Sequence, residues 1–537
     1  MKILIAQPYF RVLDPAEWKN QMPYPALSAL YAATVLRGLG HDIHFFDGML
    51  ASHPKNLDDE LRDLRPDLFL LLDDDFNYLT KMCLSNMRRA ALKALETAQE
   101  LGIAAFIHSS DAADHPRPYL ERGAWAVVLQ EAESTLPDVI TAIENGNFKR
   151  TRGEIPGLLF GGGERSPKRE ALKDLDLLPE PDYDFVDLAA YRKIWIKNHG
   201  YFSLNISTTR GCPFGCNWCA KPLYGQAYHS HSPARVAGRI RRLSRRYNAE
   251  HFWITDDIFG LKPGWLREFA RECASQAARV PYKCLSRADL LLRDDTVGLL
   301  KRSGCRTIWL GAESGSQKVL NAMEKGVSVD QIYEAARLVR RENMEIAFFL
   351  QLGYPEETWD DISLTRKMVR DLTPDGLGIS VSYPLPGTKF FERVSGRRLS
   401  KTRWTHSKDL DLLFAGTYGR QFYRFLQRFI HAEHRIFRIC RNKQWRQWHR
   451  LAVSILRWTF YGALLALKSC VGRPARPAPR RSTTRPLDHL STDHSTTRPL
   501  DHSTTDYSIT LPLYHSTTGG QAKGLGNNNI GNLEAQS

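Results

Sequence analysis

The chain has 537 residues, too many for one compact core, and its 42% hydrophobic and 10% aromatic content can fill two or three. Nine cysteines, and an amino-terminal apolar run (KILIA) too short for a secretory signal, point to a reducing cytoplasm and exclude a disulfide framework. The net charge of +15 is concentrated: residues 417–481 carry thirteen Arg and two Lys against the one acid Glu433, a net of +14, so it says nothing about the remaining chain.

In residues 1–145, short apolar runs at 2–6, 42–46, 67–72, 103–107 and 124–129 alternate with helical patterns such as PALSALYAATVLRGLG, which stops at Gly40. Five buried strands separated by helices predict an α/β, doubly wound, Rossmann-like domain. Residues 146–200, rich in Gly, Pro and Asp, read as a linker. A second alternating series fills 201–395, with strands at YFSLNIS, 250–255, 282–286, 306–311, 345–353 and 376–382. Six βα units of this length predict a partial (βα)6 barrel of TIM type, with its chemistry on the loops at the strand carboxyl ends. Residues 396–470 become basic, aromatic and helical. Residues 471–537 repeat STTRPLDH at 482–489 and 495–502, with too few apolar residues for a core, and read as a disordered tail.

The loop after the first barrel strand, STTRGCPFGCNWCAK, holds Cys212, Cys216 and Cys219 within eight positions, with Pro213 and Gly215 bending the chain between them. The other six cysteines, Cys83, Cys273, Cys284, Cys305, Cys440 and Cys470, are scattered and read as ordinary thiols. Structural zinc needs a fourth ligand, for which His229 or His231 would serve, and usually a second paired knuckle, which this chain lacks. An iron–sulfur cubane on three thiolates leaves one iron open to a substrate or cofactor. Chance clustering is the third reading, and the placement after a barrel strand speaks against it.

The C-x₃-C-x-φ-C spacing, with Trp218 before the last cysteine, resembles the signature of the radical S-adenosylmethionine (radical SAM) superfamily. The resemblance extends over roughly residues 1–395. The stretch CLSRADLLLRDDTVGLLKRSGCRTIWLGAESGSQKVLNAMEKG (284–326), with FFLQLGYPEET and YPLPGTKFF, is similar to the subfamily that joins this barrel to a cobalamin-binding domain. YPALSALYAATVLRGLGHDIHFFD and RGAWAVVLQEAESTLPDVI are similar to its cobalamin-binding half, so residues 1–145 are expected to be that domain.

What the resemblance implies is a 4Fe-4S cluster on Cys212, Cys216 and Cys219, with SAM chelated at the open iron and cleaved to a 5′-deoxyadenosyl radical by one electron from an external flavodoxin- or ferredoxin-type reductant. Asp256 and Asp257, after the second strand, sit where the family often contacts the SAM amino group. Adjacent strand residues face opposite ways, so at most one of them points to the site. Glu313 and Ser314, after the fourth strand, are candidates for the ribose or methionine, or else parts of a glycine turn. Arg287 reads as an ion pair with Asp289 rather than a carboxylate ligand. Cobalamin is expected without an axial histidine: the loop after the first strand has none, and DIHFFDG (42–48) reads as a strand. HSSDAADHP (108–116) stands where the family usually has glycines, and LLDDDFNYLT is unusually acidic. One cluster is expected in all, because the other cysteines are too dispersed for a second.

The function implied is cobalamin-dependent C-methylation of an unactivated carbon in a small-molecule or lipid substrate. The alternatives are cobalamin-dependent oxidation, cyclisation or rearrangement without methyl transfer, and a non-catalytic zinc protein binding nucleic acid. No RNA-binding module is recognisable, so no nucleic acid partner is expected. In the basic segment, Phe422, Phe425, Phe429, Ile436 and Cys440 share one helix side, and Arg424, Arg428 and Arg435 another. Two readings stand: a helix packed on the barrel, or peripheral contact of 417–470 with anionic lipid at the inner membrane face. Residues 451–467 are apolar but short, with Arg457 near the centre, and are not read as membrane-spanning.

Overall fold

The structure, a computed structural model, describes residues 1–76, 84–219, 224–401, 403–441 and 447–471. The 482–537 repeats, Cys83 and part of the cysteine loop (220–223) lie outside these.

Five apolar runs form the expected parallel strands: β1 (Lys2–Ala6), β2 (Asp42–Phe46), β3 (Leu68–Leu72), β4 (Ala104–His108) and β5 (Ala124–Val128). Their order is β2-β1-β3-β4-β5, with β6 (Leu158–Leu159) added antiparallel at the edge. Alternation assigns the faces: Ile3, Ile5, Leu68 and Leu70 pack under the helices Leu27–Gly38 and Ala132–Glu144. Leu4, Ala6, Phe69 and Leu71 pack against the helix Ser85–Glu100 in a core continuous with the second domain. This order has its topological switch point between β1 and β3, the place where doubly wound sheets bind ligands.

The stretch 146–200, expected to be a linker, is built into the packing instead. Its helix Leu188–His199 buries Tyr191 and Trp195, whose Nε1 donates to the Pro23 carbonyl at 2.8 Å. The Tyr191 hydroxyl donates to Asp47 at 2.7 Å, and the Tyr183 hydroxyl donates across to the Asn205 carbonyl at 2.6 Å. Isolated aromatics in a Gly- and Pro-rich stretch carry this docking.

The second sheet runs β7 (Ser203–Ile206), β10 (His251–Ile254), β11 (Tyr282–Ser286), β12 (Cys305–Glu313), β13 (Glu345–Leu352) and β14 (Gly376–Val381), all parallel and in consecutive order. This is the open six-stranded barrel expected. Between β7 and β10, a short antiparallel pair, β8 (Thr209–Arg210) with β9 (His229–Ser230), brackets the cysteine loop.

The helix Arg420–Arg441 packs on the barrel, as the first reading of its sequence expects. Phe422, Tyr423, Leu426, Phe429 and Ile430 are buried, and Glu433 accepts from Arg366 at 2.8 Å and lies 3.3 Å from Arg370. Arg424 pairs with Asp409 and Asp411. This helix is a structural cover on the helix Trp359–Leu372 and on β14, while Cys440 is exposed. A final helix, Trp448–Val471, packs on its outer side.

One buried ion cluster joins the domains at the cysteine loop. Arg210 places its guanidinium 2.6 Å from Glu131 and 2.5 Å from Glu133, with all three residues buried, and lies between the rings of Tyr31 and Tyr224. Its removal strands two buried carboxylates, so Arg210→Ala is expected to cost about 3–5 kcal/mol. The check is the midpoint of chemical unfolding against that of wild type.

Candidate active site

The cysteine loop is shaped by one obligatory glycine and pinned by its middle residues. Gly211 has φ +84°, and a Cβ there would lie 1.7 Å from the Ala227 carbonyl oxygen, so no side chain fits. The Cys212 amide donates to Gly225 and the Cys219 amide to Cys216, closing the turns. Asn217 is tied on every side. Its amide donates to the Met323 carbonyl at 3.1 Å, its Nδ2 donates to Ala322 at 2.8 Å, and its Oδ1 accepts from the Tyr354 hydroxyl at 3.0 Å. Its carbonyl accepts from the Phe390 amide at 3.0 Å. The loop is therefore held by the ends of β12, β13 and β14 through their following segments.

Cys212, Cys216 and Cys219 are partly exposed, none is in a disulfide, and all three line one cavity of about 590 Å³ with Asp257, Arg287 and Lys325. The opposite wall is apolar, with Trp309 and Phe349 stacked 4.6 Å apart. Among the described residues no group of His, Cys, Asp and Glu is arranged to hold a single metal ion. His231, one zinc alternative, has its Nδ1 3.1 Å from Asp176 and its Nε2 3.4 Å from Arg239, so both ring nitrogens are engaged away from the thiols. Three thiols around one roomy, partly open cavity fit a cubane with an exposed iron better than a closed tetrahedral ion.

The expected residues distribute unequally. Asp257 lines the cavity and Asp256 does not: Asp256 is buried and accepts the Thr208 and Thr209 amides at 2.7 and 3.0 Å, together with the Thr208 hydroxyl. Both follow the end of β10, and the bend at Asp257 separates the two. Glu313 is fully buried with φ +57° at a register shift of β12, and its Oε1 lies 2.8 Å from the Lys325 ammonium. It approaches the cavity through Lys325. Ser314 is turned away, its hydroxyl 3.1 Å from that of Thr365. The following Gly315 backs onto the helix Trp359–Leu372, where a Cβ would meet the Leu364 carbonyl at 2.5 Å. For Ser314 and Asp256, then, the structural reading is the one the geometry carries.

Arg287 forms the expected pair with Asp289 at 3.0 Å and does more. Its guanidinium covers Phe214 at 3.7 Å, donates to the Lys325 carbonyl at 2.9 Å, and lies 3.8 Å from the Cys216 sulfur. Lys325 was not singled out by its sequence. Burial works against its ammonium, but Glu313 and Cys216 outweigh burial and raise its pKa above the ordinary lysine value. In sequence it is one lysine between Glu324 and Gly326, indistinguishable from a surface residue. Two cations and three thiols thus face one cavity, a setting that stabilises anionic sulfur and attracts a carboxylate.

At the switch point of the first sheet a cavity of about 370 Å³ is lined by Tyr9, Asp73, Ile107 and Ser109. A neighbouring cavity of about 640 Å³ shares Asp111 and reaches the barrel at Pro384–Pro386 and Trp404. Gln7, fully buried just after β1, has no partner among the described residues for either side-chain amide atom. Burial and the neighbouring Asp75 and Asp74 push Asp73 up to about 8, making it a carboxylic acid donor at neutral pH. Asp73, Ser109 and Tyr9 are among the polar groups that line this switch-point cavity, and Gln7 lies outside that lining. His108 supplies no ligand atom, because its Nε2 is bonded to Asp75 at 2.8 Å and its Nδ1 to the Val128 carbonyl at 2.9 Å. His44 lies in β2, as expected of DIHFFDG.

Residues 206–369 match the family model described as the Radical SAM superfamily, so the fold and site define a chain that carries a radical SAM domain. Among its relatives, hopanoid C-3 methylase of Methylococcus capsulatus is 28% identical over 68% of this chain and 67% of its own. An uncharacterized methyltransferase of Pyrococcus horikoshii is 25% identical over 53% of this chain and 61% of its own. The anaerobic magnesium-protoporphyrin IX monomethyl ester cyclase of Cereibacter sphaeroides is 26% identical over 69% and 60%. The chain thus spans about three-fifths of the length of the latter two relatives. The fold is similar to that of OxsB, a cobalamin-dependent S-adenosylmethionine radical enzyme solved with aqua-cobalamin, at TM-score 0.64 and 14% identity over 88% of this chain and 81% of that one. It is also similar to that of the radical S-adenosylmethionine methyltransferase TsrM from Kitasatospora setae, at TM-score 0.60 and 18% identity over 74% and 77%.

Asp256 makes the site's support pH-dependent. Burial raises its folded-state pKa from 3.8 to about 6, so the folded chain holds this proton more tightly than the unfolded one. Its contribution to stability is therefore greatest at low pH and falls as pH rises through that window. Asp256→Asn keeps the amide acceptor and removes the titration. Between pH 5 and 7.5 wild type is expected to lose roughly 1.4 kcal/mol relative to the variant, read from paired unfolding curves.

Proposed function

We propose that this chain is a cobalamin-dependent radical SAM enzyme that methylates an unactivated carbon of a small-molecule or lipid substrate. The observation that carries the reading is the convergence of Cys212, Cys216 and Cys219 on one cavity shared with Asp257, Arg287 and Lys325. When bound, a 4Fe-4S cluster with SAM supplies a carbon-centred adenosyl radical after one-electron reduction by an external flavodoxin- or ferredoxin-type protein, and cobalamin supplies the methyl carrier. The three thiolates hold the cluster. Lys325 and Arg287 bind the methionine carboxylate, Asp257 accepts from the amino group or ribose, and Trp309 with Phe349 keeps water off the reacting carbon. Asp73 and Ser109, which line the switch-point cavity, would hold the cobalamin side arms. The names of the methylase and methyltransferase relatives support methylation, and the name of the cyclase relative favours oxidation or cyclisation as the second reading. The working compartment in this reading is the cytoplasm, with peripheral contact to the inner membrane face through 417–470.

The cluster assignment predicts that Cys212→Ala, Cys216→Ala and Cys219→Ala each abolish SAM cleavage and lower reconstituted iron, with the fold retained by circular dichroism. Lys325→Met is expected to keep the iron and weaken SAM binding at least tenfold in equilibrium titration. Stoichiometric zinc with no iron or sulfide after anaerobic reconstitution removes the enzyme reading.

The reaction class is tested with methyl-labelled SAM on the metabolite that accumulates when the gene is deleted. Label in the product establishes methylation. 5′-Deoxyadenosine formed with an altered but unlabelled product establishes oxidation or cyclisation.

A further inference from the structure

We infer that the helix Trp448–Val471 is the membrane-contacting element of this chain, lying flat with its outer face in the interfacial layer of an anionic bilayer. The inference rests on the membrane reading above and moves it from the whole 417–470 segment to one helix face. The helix Arg420–Arg441 is excluded because its apolar side is buried against the barrel.

The outer helix is the reverse case. Ser454 and Leu465 are buried, while Trp448 is 71% exposed, Leu456 69%, Phe460 59% and Leu467 66%. At 100° per residue these four, with Val453 and Ile455, occupy the half of the helix opposite Ser454, and no charged residue shares that half between Trp448 and Leu467. An apolar face of this length, about 30 Å, exceeds what isolated surface hydrophobes account for.

The charges lie on the other side, toward the inner helix. Arg450 and Arg457 are seven residues apart and fall on the same flank. Burial, and then repulsion from Arg457, Arg438 and Arg450, lowers the pKa of Arg435 on the inner helix. The one acid of either helix, Glu433, is already bonded to Arg366 and Arg370. Like-charged arginines beside an apolar face match the phosphates and acyl chains of an anionic lipid surface.

The helix has the length and composition to cross a bilayer, with a mean hydropathy of 1.3 over residues 448–467. Its packing keeps it parallel to the protein instead. Phe425 stacks on Tyr461 and Phe429 on Trp458, and Gly462 brings the backbone against Phe429, where a Cβ would come within 3.2 Å. Contacts along its length hold it to the cover helix, and Arg457 at its middle then reaches headgroups rather than the hydrocarbon.

The test is co-sedimentation of the full-length reconstituted protein with vesicles of phosphatidylcholine alone or with 30% phosphatidylglycerol. Wild type is expected to bind the anionic vesicles at least tenfold better, and binding is expected to fall as salt rises. Leu456→Glu with Phe460→Glu should cut binding at least tenfold while SAM cleavage and the thermal midpoint are unchanged. Leu456→Ser with Phe460→Ser, at the same exposed positions, serves where the acidic pair lowers the midpoint. If wild type binds and neither double variant loses binding, the helix assignment is overturned while membrane contact stands. If wild type binds neither vesicle, both are overturned, and a dimer that dissociates in the acidic variant assigns the face to a second copy.

Discussion

Everything in the candidate site depends on where Arg210 is held. It lies two residues before Cys212, and its guanidinium is fixed between Glu131 and Glu133 of the first domain. A buried pair of this kind repays desolvation only when its geometry is tight, and here the aromatic rings of Tyr31 and Tyr224 close it on two sides. The loop that carries the thiols therefore starts from a point owned by both domains. Any shift of the first sheet against the barrel is passed directly to the thiols.

The far side of the loop is fixed by a different interaction. Asn217 spends its amide, carbonyl and side chain on residues 322, 323, 354 and 390, so the segment between Cys216 and Cys219 takes its position from the late strands. Arg287 and Lys325 then lie over it, joined by the hydrogen bond to the Lys325 carbonyl. Ionic fixing at one end and hydrogen-bonded fixing at the other leave the three thiols accessible without leaving the backbone loose. This is the preorganisation that a labile radical reaction requires of its container.

Much of this architecture was readable from the sequence because the strands are short apolar runs such as LFLLL and AFFL, bounded by helices with clear periodicity. The thiols were readable because their spacing is improbable by chance. Three features were not. Tyr183, Tyr191 and Trp195 sit in a composition typical of linkers, and only the fold shows what they dock on. Lys325 is an ordinary lysine until the helix end before it is placed beside Cys216. The two late helices share one basic, aromatic pattern, and periodicity identifies a face without saying what covers it. Arg457 counted against a membrane span while the direction of its side chain around the helix was unknown. Conversely, Ser314 and Asp256 were candidates by position and are held elsewhere, by Thr365 and by the Thr208–Thr209 backbone.

The anchors of the cysteine loop also have an order in time. Cys219 is synthesised 171 residues before Phe390, whose amide completes the hold on Asn217. At about 5–20 residues per second, the loop spends roughly 10–30 s outside the ribosome's reach of that anchor. Over that interval its partners emerge in order, Ala322 and Met323 first, then Tyr354, and Phe390 last. The loop thus reaches its complete set of anchors only after the last barrel strand has been made.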